Sequence, residues 1–191
     1  MKTLVLIMMS LFAAHINAQS SYSGTPLYYS EVIQAENTNK NILYSRSKDF
    51  INSLYNNPKE VIQVDDSISG VITVKGVESY DEGDHEYFIS YLFSIASKDG
   101  RYKYEIKDII FKGKRWSSFY SEWVDTYNDV LTDANLSEAY YNEQIGKKKK
   151  KVKDDPTYSK YRDKADLFFK AMSLKLKDDM SQKSSILEED W

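Results

Sequence analysis

Cysteine is absent from this 191-residue chain. That excludes disulfide staples, a thiolate metal centre, a thiol nucleophile and a cysteine-borne lipid anchor. Histidine is nearly as scarce, with His15 in an N-terminal apolar region and His85 in an acidic stretch, so zinc held by several imidazoles is excluded too. The chain has no G-x-S-x-G elbow, no phosphate-cradling G-x-x-x-x-G-K and no dinucleotide-binding G-x-G-x-x-G. Long hydrophobic runs are also missing. The most apolar one, Leu4 to Ala14, is far shorter than the roughly 20 residues a membrane-spanning helix needs.

That run has a different use. MKTLVLIMMSLFAAHINAQS places Lys2 ahead of the apolar segment and a polar tail up to Ala18 behind it. This is the layout of a secretory signal, so residues 1–18 are expected to be a signal peptide cleaved near Ala18, with a mature chain from Gln19 that is exported to the periplasm or beyond. The formal net charge of -3 is unevenly spread. Residues 147–191 carry 13 Lys or Arg against 9 Asp or Glu, whereas residues 19–146 carry 12 against 20.

LYYSEVIQAE (27–36) reads as a strand, rich in aromatic and β-branched residues. Asn39 or Asn41 caps a helix through NILYSRSKDFINSLY, with Ile42 or Leu43, Phe50 and Leu54 at helical spacing and Asn56-Asn57-Pro58 ending it. Strands follow at KEVIQVDD, SGVITVKGV, EYFISYLFSIAS and GRYKYEIKDIIF. Asp99-Gly100 marks a type I′ hairpin in which Lys98 pairs with Arg101. Its register puts Ile95 opposite Tyr104, Phe93 opposite Ile106 and Ile89 opposite Ile110 on a buried face. The other face pairs Ala96 with Lys103, Ser94 with Glu105, Leu92 with Lys107 and Phe88 with Phe111. Tyr102 and Tyr104 then point into the core.

Past Arg115, SSFYSEWVDTYNDVL spaces Phe119, Trp123, Tyr127 and Val130 or Leu131 for a helix, and LSEAYYNEQI suggests a second short one. Asp155-Pro156 caps a final helix whose apolar stripe is Tyr158, Tyr161, Ala165, Phe168, Met172 and Leu176, and the terminal SSILEEDW is expected to fray. The resulting architecture is a two-layer α+β domain, an antiparallel sheet with helices on one face. Residues 19–115 form the domain, 116–146 a helical segment, 147–155 a lysine-rich linker and 156–191 a C-terminal helix and tail.

The succession Val32-Ile33, NKNILYSRS with Phe50, VIQVDD, GVITVKG, SYLFSI and DGRYKYEIKD resembles an exported bacterial family known as domain of unknown function 4468, over roughly residues 28–112. The resemblance implies a TATA-binding-protein-like fold, a curved antiparallel sheet in the order β-α-β-β-β-β-α. It implies no activity and no catalytic residues, and the fold name alone does not imply DNA binding.

The remaining candidates for chemistry have simpler explanations. ESYDEGDHE gathers Glu78, Asp81, Glu82, Asp84 and Glu86 around His85 without the alternation of a calcium loop, so it reads as a solvated turn. Lys147–Lys151 and Lys153 sit between two helical segments and read as a self-repelling linker rather than a nucleic-acid grip. Weak contact of Lys147–Lys151 with an anionic surface is the second reading. No metal or cofactor is expected. The leading functional expectation is a non-enzymatic binding or protein-interaction module, its partner another envelope protein. It would use an open sheet face carrying Thr73, Lys75, Phe88, Leu92, Lys103, Glu105 and Lys107. An exported carboxylate-dependent hydrolase or carbohydrate-acting enzyme is the alternative.

Overall fold

The computed structural model describes residues 24–147 and 151–181. The segment expected to be a signal peptide, the middle of the lysine run and the tail 184–191 lie outside the described residues. The elements are β1 (Tyr29–Gln34), α1 (Lys40–Leu54), α2 (Pro58–Val61), β2 (Ile62–Asp66), β3 (Val71–Glu82), β4 (His85–Lys98), β5 (Arg101–Ser117), β6 (Glu122–Val130), α3 (Glu138–Gly146) and α4 (Pro156–Ser181). The α+β class and the helices on one face of an antiparallel sheet are as the sequence predicts.

The sheet runs β1-β5-β4-β3-β2, and β6 also pairs with β5. β1 takes Arg101 to Ile106 of β5, while β6 takes Ile110 to Ser117. Two strands therefore share one edge of β5, end to end. Buried Leu131 closes the joint: its N–H donates to Ile109 O at 2.8 Å and its carbonyl accepts from Leu27 N at 2.9 Å.

The first difference from the expected elements lies beyond Arg115. Residues 122–130 form a strand, not a helix, and α3 alone forms as a helix within 116–146. The outer edge of β5 beyond β1 would otherwise expose a row of unpaired backbone donors and acceptors, and β6 satisfies them. Val124, Thr126 and Val130, all β-branched, are compatible with that outcome. A smaller correction applies to KEVIQVDD. Its start, with Pro58 at the first helical position, forms one turn of helix before β2 begins at Ile62.

The hairpin register holds from Lys98↔Arg101 through Leu92↔Lys107 and then shifts by one. Asp108, at φ 53°, is the extra residue of a bulge. Ile89 consequently faces Phe111 rather than Ile110, and Phe88 faces Lys112 rather than Phe111. In the turn itself only Gly100 has positive φ, at 74°, so it is not type I′. Asp99 instead uses its carboxylate to accept from Lys40 N at 2.7 Å, docking the hairpin onto the start of α1.

α1 begins where Asn39 Oδ1 accepts from Ile42 N at 3.0 Å, a cap worth about 1 kcal/mol. Leu43, Phe50 and Ile51 of α1 lie on the sheet beside α4. The buried stripe of α4 is Tyr158, Tyr161, Ala165, Phe169, Met172, Leu176 and Met180, so Phe169 takes the place predicted for Phe168. These steps of three and four repeat every eleven residues, closer to a straight helix than to a heptad. Tyr102 and Tyr104 are buried as predicted. At one end of the core Tyr87, Phe111 and Tyr161 stack, with centroids 4.5 to 5.8 Å apart. Gly76 is required inside β3 because a Cβ there would lie 2.3 Å from Tyr91 Cζ.

Two hydrogen-bonded brackets bring α4 back to the sheet. Asp155 accepts from Thr157 N and Tyr158 N at 3.0 and 3.1 Å and also from Tyr127 Oη. Gln144 donates to Lys153 O and accepts from Lys153 N at 2.8 and 2.9 Å, pinning the far end of the lysine linker to α3.

Candidate functional site: the open sheet face

Because side chains alternate along a strand, burying one set of residues under α1 and α4 leaves the other set on the opposite face. Six of the seven predicted residues form one continuous patch there. Thr73, Ser94 and Glu105 lie in one row across β3, β4 and β5, and Lys75, Leu92 and Lys107 lie in the next. Lys103 stands opposite Ala96. Phe88 lies two rows further along the same face of β4, beside Lys112 and under the Lys114 ammonium, 5.9 Å from the ring centroid.

Thr73 Oγ1 and Ser94 Oγ share a hydrogen bond of 2.9 Å. Glu105 accepts from Lys103 and from Tyr28 Oη, and these two donors hold its carboxyl below the usual carboxylate range. That pair cancels its own charge. Lys75, Lys107, Lys112 and Lys114 remain on the same face, so a protein with a net negative sequence presents a cationic surface here.

The bulge at Asp108 adds what the sequence reading misses. It turns Ile110, Lys112 and Lys114 outward, and Lys112 and Lys114 together with β6 make a recess of about 510 Å³. Its walls include Lys75, Val77, Phe88, Lys112, Lys114 and Asp125. A second recess, about 340 Å³, is lined by Val32 and Ala96 with Lys98, Arg101 and Lys103 around them. A third, about 360 Å³, holds Asp129 and Glu138 beside Pro26 and Thr132.

On the covered side, burial pushes the Glu78 carboxyl up, and tyrosines gather nearby, with Tyr55 Oη 3.1 Å from Tyr91 Oη. Burial, then the bond to Asp65, pushes the Tyr44 hydroxyl up to about 12. His85 opens β4, bonded to Asp84 at 2.7 Å and stacked on Tyr87, and Glu82 pairs with Lys160 and Lys164 of α4. No group of three or more metal-ligating side chains converges among the described residues. No helix there is long and apolar enough to cross a membrane.

No curated protein matches the chain. A TBP-like protein from Parabacteroides distasonis has a solved structure similar to this one, at 16% identity and a TM-score of 0.58, covering 83% of this chain and 95% of that one. A DUF4468 family protein from Bacteroides ovatus is similar at 16% identity and a TM-score of 0.53, covering 84% and 89%. At such identity the likeness is one of fold, and its coverage extends it beyond the 29–112 segment. That segment matches the domain of unknown function (DUF4468) with TBP-like fold. Through residues 29–112, from β1 into β5, the chain is thus similar to the DUF4468 family.

Proposed function

We propose that the protein is a non-enzymatic binding module of the cell envelope that holds a partner protein on its open sheet face. One observation carries the reading. The face opposite α1 and α4 has no covering element among the described residues, yet it combines Phe88, Leu92 and Val77 with a concentration of lysines around a shallow recess. Apolar surface ringed by charge is how protein contacts are commonly built. The secretory layout of residues 1–18 supports an envelope location.

The test is crosslinking in the native host followed by fractionation and mass spectrometry, with the parent and with Phe88→Ser plus Leu92→Ser. The parent is expected to capture a recurrent stoichiometric partner outside the cytoplasm, and the double variant to lose it while keeping its circular dichroism. Equal capture by a folded double variant overturns the sheet-face reading.

A further inference from the structure

The β5–β6 hairpin tip extends past the family segment and contributes little to the core. Phe119 is 86% exposed and Tyr120 67%, and behind them Trp116, Trp123 and Val124 are each about 40% exposed. The rings are paired: Phe119 and Tyr120 meet edge to face at 4.8 Å, and Trp116 and Trp123 do so at 5.7 Å across the ladder. From Trp116 to Ser121 no residue is charged. Immediately behind, β5 carries Lys112, Lys114 and Arg115, against Glu122 and Asp125 on β6.

We propose that this hairpin is a membrane-interface anchor: Phe119 and Tyr120 enter the headgroup–acyl boundary of an anionic bilayer, Trp116 and Trp123 lie among the headgroups, and Lys112, Lys114 and Arg115 meet the lipid phosphates. The order along the hairpin carries the assignment. An uncharged aromatic apex, a pair of amphipathic indoles and then cations follow the polarity gradient of a lipid surface from acyl chain to phosphate. The shape agrees, since a convex tip one strand pair wide can enter a fluid interface, whereas a protein partner would need a matching cleft. The cations select an anionic surface over a neutral one. Phe88 and Leu92 take no part, so this inference and the sheet-face reading can fail separately.

The experiment uses vesicles of phosphatidylglycerol with phosphatidylethanolamine, and vesicles of phosphatidylcholine alone. The full chain and the chain from Gln19 are measured separately, because the apolar run of residues 4–14 is itself lipophilic. Both carry Trp191→Phe, leaving the hairpin pair as the only tryptophans. The expected result is co-sedimentation with the anionic vesicles, a blue shift of tryptophan emission and quenching by brominated acyl chains. Phe119→Ser plus Tyr120→Ser should lower the partition coefficient at least tenfold within each chain length, with an unchanged thermal midpoint because both side chains are exposed. Phe119→Asp, which places a charge at the apex, is the second variant and should act in the same direction.

Absence of any emission shift with either vesicle overturns the proposal. So does binding that survives both apex variants, or binding lost only on Lys147–Lys151→Ser, which would mean adsorption through the linker. A dimer in sedimentation equilibrium that the apex variants dissolve, with no lipid response, would make the tip a contact between copies and equally overturn it.

Discussion

The two halves of β5 differ in almost everything except their continuity. From Arg101 to Lys107 the strand alternates regularly between β1 and β4, with Tyr102, Tyr104 and Ile106 on the core side and Lys103, Glu105 and Lys107 on the other. From Ile109 onward the parity is reversed. Ile109 and Phe111 face the core, Ile110, Lys112 and Lys114 face out, the neighbour is β6, and the strand ends at an exposed aromatic hairpin. One residue, Asp108, separates these regimes. A bulge thus joins a half that builds the patch read from sequence to a half that builds the recess and the tip.

Changes at three places in the chain break or sharpen that comparison. The largest effect belongs to Phe111→Ala. The side chain is fully buried against Tyr87, Tyr127 and Tyr161, so its loss should destabilise by about 3–5 kcal/mol in urea unfolding. A loss below 1 kcal/mol would mean that the strand keeps unbroken alternation and turns Phe111 outward. Next comes Asp108→Val, which places a β-branched residue at positive φ and should cost about 1–2 kcal/mol. Asp108→Gly should be neutral or slightly stabilising in the same assay, and equal effects of the two would remove the left-handed bulge from the account. The smallest is replacement of Lys147–Lys151 by Gly and Ser, which should change stability by less than about 0.5 kcal/mol, because Gln144 holds the linker through the backbone of Lys153. A large drop in thermal midpoint would show that the run packs rather than links.

The same division explains what could be read in advance. Tyr102, Tyr104 and the register from Lys98 to Leu92 were legible because strict alternation and a tight turn determine them together. The change of parity was also written in the sequence, since the lysines pass from odd positions at 103 and 107 to even ones at 112 and 114. Read as a bulge, that shift predicts Phe111 inward and Lys112 and Lys114 outward. β6 was harder. Phe119, Trp123, Tyr127 and Val130 do have helical spacing, and only the vacant edge of β5, a tertiary fact, overrides it. Phe168 and Phe169 differ by a single residue in α4, and the eleven-residue spacing of Tyr161 to Met172 and Ala165 to Leu176, applied to Tyr158, selects Phe169, with Met180 continuing the stripe.

The position of α4 bears on the order of events during folding. Tyr158, Tyr161, Phe169, Met172 and Leu176 form the outer wall of a core whose sheet strands are complete by residue 130. Tyr29 reaches Asp166, and Lys177 reaches Glu31, across most of the chain. A nascent chain that has finished its sheet still holds Tyr87, Tyr91 and Phe111 without their α4 cover. The native state becomes available only once α4 has been made, which favours slow folding from non-local contacts over stepwise folding from the N-terminus.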